Sequence, residues 1–290
     1  MPDQPEHSNP ENSSPENSSP QNSSIAQNPE VPPTSIPPRD TGESPRIPHS
    51  LPLICIADNV HPCSYLPEKT ATMPLHVAQP SLSDADFEIV LEAGLRRSGQ
   101  FTYYTACENC QACEPVRIDA NKFDWSDSWR RIINRGDRLL KLDIGPPEFS
   151  IERLQLFNIH RDIRNLGHGN DSYTPYDYQS FLVDSCCDST YELRYYLDNS
   201  LVALSVIDLS SNSISAVYTY FDPNHAKLSL GSYSVLKQIQ LAQRSGRKWV
   251  YLGLYVAENQ HLNYKARFLP QERYINRQWI EYSRPTEPKS

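Results

Sequence analysis

Three thiols fall within one short stretch, Cys107-Glu-Asn-Cys110-Gln-Ala-Cys113, which leads through Glu114 into Pro115-Val116-Arg117. Such spacing lets two thiolates reach one soft ion from a tight turn, with a third joining from the next. Plain burial fits the same residues, since free cysteine packs as a small hydrophobe and no histidine follows at a zinc-finger interval. A second group is cationic. Arg96, Arg97, Arg117, Lys265 and Arg267 could each receive a carboxylate, the arginines as a fork and the lysine as a point charge. A third group sets Arg130, Arg131, Arg135 and Arg138 beside Trp125 and Trp129, the make-up of a nucleic-acid patch or of a solvated basic face. No Gly-x-Ser-x-Gly elbow and no Cys-His pairing stands out, which suits a reaction without a covalent enzyme intermediate.

The elements that must position these residues can be read from caps and periodicity. Ser83 caps a helix over about 84–93, with Asp86 three residues on and Gly94 as its stop, and that helix delivers Arg96 and Arg97. Strand-like segments at about 101–105 and 115–119 flank the cysteine turn, and Ser126 opens a short basic helix ended by Gly136. Gly145-Pro146-Pro147 is the best internal boundary, because consecutive prolines stop regular structure. Beyond it Ser150 caps a helix that puts Ile151, Leu154 and Phe157 near one face, and a second helix is expected over 175–185. Strands follow at 191–197, 201–208 and 214–221, with a turn at Asp198-Asn199-Ser200. A helix from Gly231 to Ser245 and a buried strand from Lys248 to Val256 come next, and Tyr264-Lys265-Ala266-Arg267 follows a polar loop. His160 and His168 are explained as helix-surface and loop residues. The order of elements predicts an α+β fold, an acetyltransferase-like (GNAT) mixed sheet flanked by helices.

Composition bounds the rest. The 290 residues suffice for one or two domains with a real core. Residues 1–50 hold three near-repeats of Pro-Glu/Gln-Asn-Ser-Ser and a proline run, too little apolar surface to offset chain entropy, so disorder is expected there. The net charge is −8, of which that leader carries −5 and residues 51–290 carry −3. Tight nonspecific nucleic-acid binding is therefore not expected, because phosphate contacts supply most of that affinity, while a local patch remains open. Seven cysteines, an odd number, with no apolar signal core and no apolar run of spanning length, point to a reducing cytoplasm and away from a membrane. Cys186-Cys187 are taken as structural or incidental.

One ordered series of blocks goes further. Cys63-Ser64-Tyr65-Leu66-Pro67, Gly94-Leu95-Arg96-Arg97-Ser98-Gly99 and the cysteine stretch precede Ser215-Ala216-Val217-Tyr218-Thr219-Tyr220-Phe221-Asp222-Pro223, Ser229-Leu230-Gly231, Tyr251-Leu252-Gly253 and Tyr264-Lys265-Ala266-Arg267-Phe268. In that order they resemble the aminoacyl-tRNA–protein transferases, which comprise the arginyltransferases of eukaryotes and the aspartate/glutamate leucyltransferases of bacteria. The match is collinear from about 55 to 282, and its cysteine spacing is similar to the bacterial branch. The chain departs from the family pattern at Leu262, Leu254-Tyr255 and Arg164-Asn165, which puts the donor amino acid in doubt more than the fold.

The resemblance implies the GNAT fold in its aminoacyl-tRNA-using form and a cysteine-rich N-terminal module. With the composition shift and the proline boundary, the chain is expected to divide into a leader (1–50), a small cysteine-containing N-terminal module (51–145), a transferase domain (146–284) and a tail (285–290). It implies transfer of leucine or arginine from charged tRNA to proteins with an N-terminal Asp or Glu, marking them for N-degron degradation. Such aminolysis needs no cofactor, because an acceptor α-amine with a pKa of about 7.7–8.0 is already a nucleophile near neutral pH. What it needs is orientation, charge stabilisation and a route for one proton. Asp222 and Lys265 are the candidate catalytic residues. Arg96, Arg97, Arg117, Tyr218, Tyr220, Ser232, Tyr264 and Arg267 are the candidate substrate-binding residues, and Arg130 and Arg131 are the candidates for tRNA. For Cys63, Cys107, Cys110 and Cys113 it implies a thiolate set for zinc or an iron–sulfur centre. An acetyl-CoA-dependent N-acyltransferase and a non-catalytic zinc- or RNA-binding module are the alternatives. The first is weakened by the single glycine in Leu228-Ser229-Leu230-Gly231-Ser232-Tyr233, where CoA enzymes carry a glycine-rich loop.

Overall fold

The computed structural model describes residues 47–48, 50–166 and 172–284; most of the expected leader, His168 and the tail lie outside the described residues. Its centre is an eight-stranded sheet in the order β14-β13-β7-β12-β11-β10-β9-β8. These strands are β7 (Glu114–Asp119), β8 (Leu140–Gly145), β9 (Thr190–Leu197), β10 (Ser200–Leu209), β11 (Ser213–Phe221), β12 (Trp249–Tyr255), β13 (Gln271–Ile275) and β14 (Gln278–Tyr282). Smaller sheets precede it. β1 (Leu53–Ala57), β4 (Leu75–Ala78), β6 (Phe101–Tyr103) and β5 (Arg96–Ser98) form one in that order, and β2 (Val60–Pro62) pairs with β3 (Thr70–Thr72) in the other. The fold is mixed α+β with helices on both faces of the large sheet.

The expected boundary at Gly145-Pro146-Pro147 does not divide this sheet. β7 lies between β13 and β12, and β8 closes the far edge against β9, so both segments N-terminal to the prolines belong to the same sheet as those beyond. The prolines end β8 and turn the chain into the next helix, which is a local event.

Helix formation follows the side-chain caps. Ser83 accepts from the Asp86 amide to start α1 (Asp84–Glu92), Ser126 accepts from Trp129 to start α2 (Asp127–Leu139), and Ser150 accepts from Arg153 to start α3 (Ile151–Ile163). Thr174 and Asp177 form a capping box on the short α4 (Pro175–Tyr178), which continues as a π-turn over Gln179–Val183. α5 (Leu230–Arg244) starts without a side-chain cap, from Ser229 held in the left-handed region. α3 and α4 cover one face, where Leu154, Phe157, Tyr178 and Leu182 meet Leu204, Val206 and Tyr220. α2 and α5 cover the other, where Trp129, Ile133, Tyr233, Leu236 and Ile239 meet Tyr195, Ala203, Ile207 and Val250. α1 packs with Cys186 and Cys187 against Trp249 and Tyr251, which gives that cysteine pair its structural place.

Gly136 does not end α2, which continues to Leu139. A Cβ at that position would overlap the Tyr233 ring, so glycine is what lets α2 cross the first turn of α5 closely. The crossing is tied by Tyr233 donating to Asp137 at 2.8 Å. Gly136→Ala should therefore lower stability by about 1–3 kcal/mol through overpacking and push α2 away from α5. Thermal melting of the variant checks the loss of stability.

Candidate functional site

β11 and β12 are the one parallel pair among the described strands, and they hold together only where Ser213–Ser215 lie against Trp249–Tyr251. Beyond this the two strands part, because β12 stays paired with β7 as far as Tyr255 while β11 stays paired with β10 as far as Phe221. A gap opens at the C-terminal ends of two parallel strands, where α/β sheets characteristically place ligands. Along β11 it borders on Tyr218, half-buried. The uncapped first turn of α5, with Gly231 against the Phe221 ring and Ser232 half-buried, lies near its end. Unpaired amides at such a turn suit an anionic group.

Against the parted half of β12 sit two cations. Arg96 donates to the carbonyls of Val116 and Gly253 at 3.3 and 3.4 Å, and Lys265 donates to that of Leu254. A bulge in the β12–β7 pairing between Tyr251 and Gly253 accompanies this reach into the strand. Arg96 is 4% exposed and Lys265 5%. Burial pushes Lys265 down to about 7, and the neighbouring Arg96 charge adds to the shift. Burial likewise lowers Arg96 to about 10, and its Nε has no partner. No carboxylate among the described residues balances either charge. Two uncompensated buried cations side by side are costly, which is the pattern expected where a ligand supplies the missing charge.

Other candidates have structural partners. Arg97 pairs with Asp208 at 2.7 Å with both side chains fully buried, and also donates to Gly99 and Asp184 carbonyls. Arg117 pairs with Glu272 at 2.7 Å and lies between the Trp249 and Trp279 rings at 3.8 and 4.2 Å. Arg267, half-buried, lies 5.2 Å over Trp129. Tyr220 is wholly buried and shares a 2.6 Å hydrogen bond with Tyr178, so it belongs to the core beneath the gap. Asp222 accepts from the Asn224 amide and meets His225 at 3.1 Å, which makes it the cap of the turn over Pro223–Leu228. Tyr264 is 37% exposed, next in sequence to buried Lys265.

Arg130 and Arg131 are exposed on α2 together with Arg135 and Arg138. Arg135 donates to the Lys227 carbonyl, which ties this basic face to the turn leading into α5. The four cysteines are half-buried, and burial, then Cys107, Cys63 and Cys110 in turn, push Cys113 up to about 12. Amides of Tyr65 and Leu66 donate to Cys63 Sγ at 3.4 Å. Among the described residues, however, no three His, Cys, Asp or Glu side chains converge to hold a metal ion. The donor set suits a soft ion in kind, but not as its side chains are arranged.

Sequence reasoning missed what α3 contributes. His160 is buried, not on the helix surface; it meets the Phe221 backbone at 2.9 Å, and burial with Arg164 and Arg161 alongside lowers it to about 4. Arg161 and Arg164 themselves turn toward Tyr218 and Phe221. Basic residues in a last helical turn are ordinarily explained by the helix dipole, so the sequence marked Arg164 only through the Arg164-Asn165 departure and did not mark Arg161.

Comparison with known proteins makes the class of this enzyme definite. Models of the arginine-tRNA-protein transferase N terminus and C terminus match residues 61–131 and 152–275, so the chain belongs to that family and is an aminoacyltransferase. Its relatives include the aspartate/glutamate leucyltransferase of Saccharophagus degradans, 35% identical over 78% of this chain and 95% of that one. That of Aeromonas hydrophila is 37% identical over 76% and 91%. Among solved structures, L-PGS from Bacillus licheniformis aligns with a TM-score of 0.42 at 16% identity, over 61% of this chain and 62% of that one.

Proposed function

We propose that this protein transfers leucine from charged tRNA to the α-amine of proteins beginning with Asp or Glu, marking them for N-degron degradation, on a GNAT-type sheet whose parted strands admit the donor. The observation that carries the acceptor half is the pair Arg96 and Lys265, buried and without a counter-charge beside the gap. An N-terminal Asp or Glu brings its side-chain carboxylate to those cations and holds its amine toward the ester. The amine attacks the aminoacyl carbonyl, a peptide bond forms, the C–O bond to the terminal ribose breaks, and the amine's proton leaves as the ribose hydroxyl is restored. Most of the acceleration is orientation and charge stabilisation. Tyr218 and Ser232 line the donor's path, and the exposed basic face of α2, with Arg130 and Arg131, receives the body of the tRNA.

A donor comparison tests this. Leucyl-tRNA, arginyl-tRNA and acetyl-CoA are offered separately with a peptide beginning with Asp; leucyl transfer alone is expected, and acetyl transfer would establish the N-acyltransferase alternative instead. No step passes through the cysteines. The metal expectation is a separate proposal: if the four thiols turn in upon one ion, protein purified without oxygen holds close to one zinc ion or iron–sulfur centre per chain and Cys107→Ser removes it. Metal far below one per chain leaves them as half-buried thiols.

A further inference from the structure

The end of α3 reaches the gap from the side opposite α5. Arg161 lies 4.3 Å over the Tyr173 ring and 5.7 Å over Phe157, and its charge acts on the neighbouring Tyr218 hydroxyl. Arg164 lies 5.5 Å over Phe221, and its charge is felt at Tyr218, Tyr264 and His261. Tyr218 and Phe221 end β11, whereas His261 and Tyr264 belong to the connection leaving β12, so Arg164 stands between the two lips of the gap. No carboxylate among the described residues pairs with either guanidinium. Both arginines are half-buried and Tyr264 is more open, so the group is within reach of a ligand.

The helix dipole accounts for one favourable charge at this terminus, but not for two arginines laid against rings from three separate segments. Two cations set among aromatic faces supply what one nucleotide offers a partner for: a phosphate and a flat base. We propose that Arg161 and Arg164, with Tyr218, Phe221 and Tyr264, hold the 3′-terminal nucleotide of the RNA donor, guanidinium groups on its phosphate and its base against an aromatic face. This rests on the aminoacyl-tRNA reading of the gap. It places the terminal nucleotide on the α3 side and the acceptor's carboxylate at Arg96 and Lys265, with the ester between them.

The test compares binding of uncharged tRNA with an intact 3′ end against the same tRNA trimmed by one nucleotide. The wild type should prefer the intact RNA by about tenfold, the order of one stacked base. Arg164→Gln and Tyr264→Leu should each reduce that preference to within about twofold while melting as the wild type does, the base losing its stack and the phosphate its fork. Arg130→Ala should weaken both RNAs alike and leave the preference intact. If the wild type binds both RNAs equally, or if both the Arg164 and Tyr264 variants keep the full preference, the terminal site is overturned while the transferase reading stands. Failure of the wild type to bind either RNA would overturn both.

Discussion

Asp208→Ala is expected to lower stability by about 3–5 kcal/mol, because it leaves the Arg97 guanidinium charged, buried and unbalanced. The two side chains meet at 2.7 Å with no exposure to solvent. Asp208 also accepts from Thr190 at 2.7 Å, and Arg97 donates to the carbonyls of Gly99 and Asp184, so the pair joins β5, β10 and the segment before β9. For a chain of this size the loss corresponds to a fall in melting temperature of roughly 10 °C. Replacing both partners by apolar residues, Arg97→Met with Asp208→Leu, should restore part of it, since the cost lies mainly in a lone buried charge. A double variant as unstable as Asp208→Ala would show that the pair itself, not the unbalanced cation, holds these elements together.

Lys265→Met should do the reverse. Burial and the Arg96 charge lower this amine from its ordinary value to about 7. Between pH 7 and 10.5 the unfolded chain therefore holds a proton that the folded chain has released, and stability rises with pH across that window. Below pH 7 the penalty is complete, on the order of 3–5 kcal/mol, against about 1–3 kcal/mol for the hydrogen bond to the Leu254 carbonyl. The methionine variant should then be no less stable than the wild type near pH 6.5, with its advantage vanishing as pH approaches 10.5. Its kcat/KM on peptides beginning with Asp should nonetheless fall by roughly 10- to 150-fold, the worth of one hydrogen bond to a charged group. Melting curves against pH and peptide kinetics check the two halves. A variant that lost stability and kept its preference for Asp would make Lys265 a structural residue.

These two positions also show what the sequence could and could not reveal. Local chemistry was legible: Ser83, Ser126 and Ser150 each cap a helix where their spacing predicts one, and Asp198 and Asn199 turn β9 into β10 with positive φ. Pairing between distant segments was not. β7 enters the sheet between β12 and β13, more than a hundred residues away in the chain, and no periodicity in six residues announces that neighbour. For the same reason Arg96 and Arg97, adjacent in sequence and equally plausible as carboxylate binders, separate only in three dimensions. Arg97 finds Asp208, while no acid among the described residues balances Arg96. The strands of the small N-terminal sheets carry three to five residues each, too few to show an alternating pattern. Gly136 read as a helix stop because a glycine needed for close approach and one needed for a cap look alike until the partner ring is known.

The most direct measurement of the central claim is the structure of the product. Peptides that begin with Asp, Glu, Asn or Ala and are otherwise identical are incubated with leucyl-tRNA and the full chain, and fragment masses locate the added residue. Leucine joined to the α-amine of the Asp and Glu peptides only, with the Asn peptide left unmodified, is the predicted result, because Asn matches Asp in shape and lacks the charge that Arg96 and Lys265 await. Equal leucylation of the Asn and Asp peptides would contradict the assignment of those cations, and no leucylation of any peptide would contradict the proposed function.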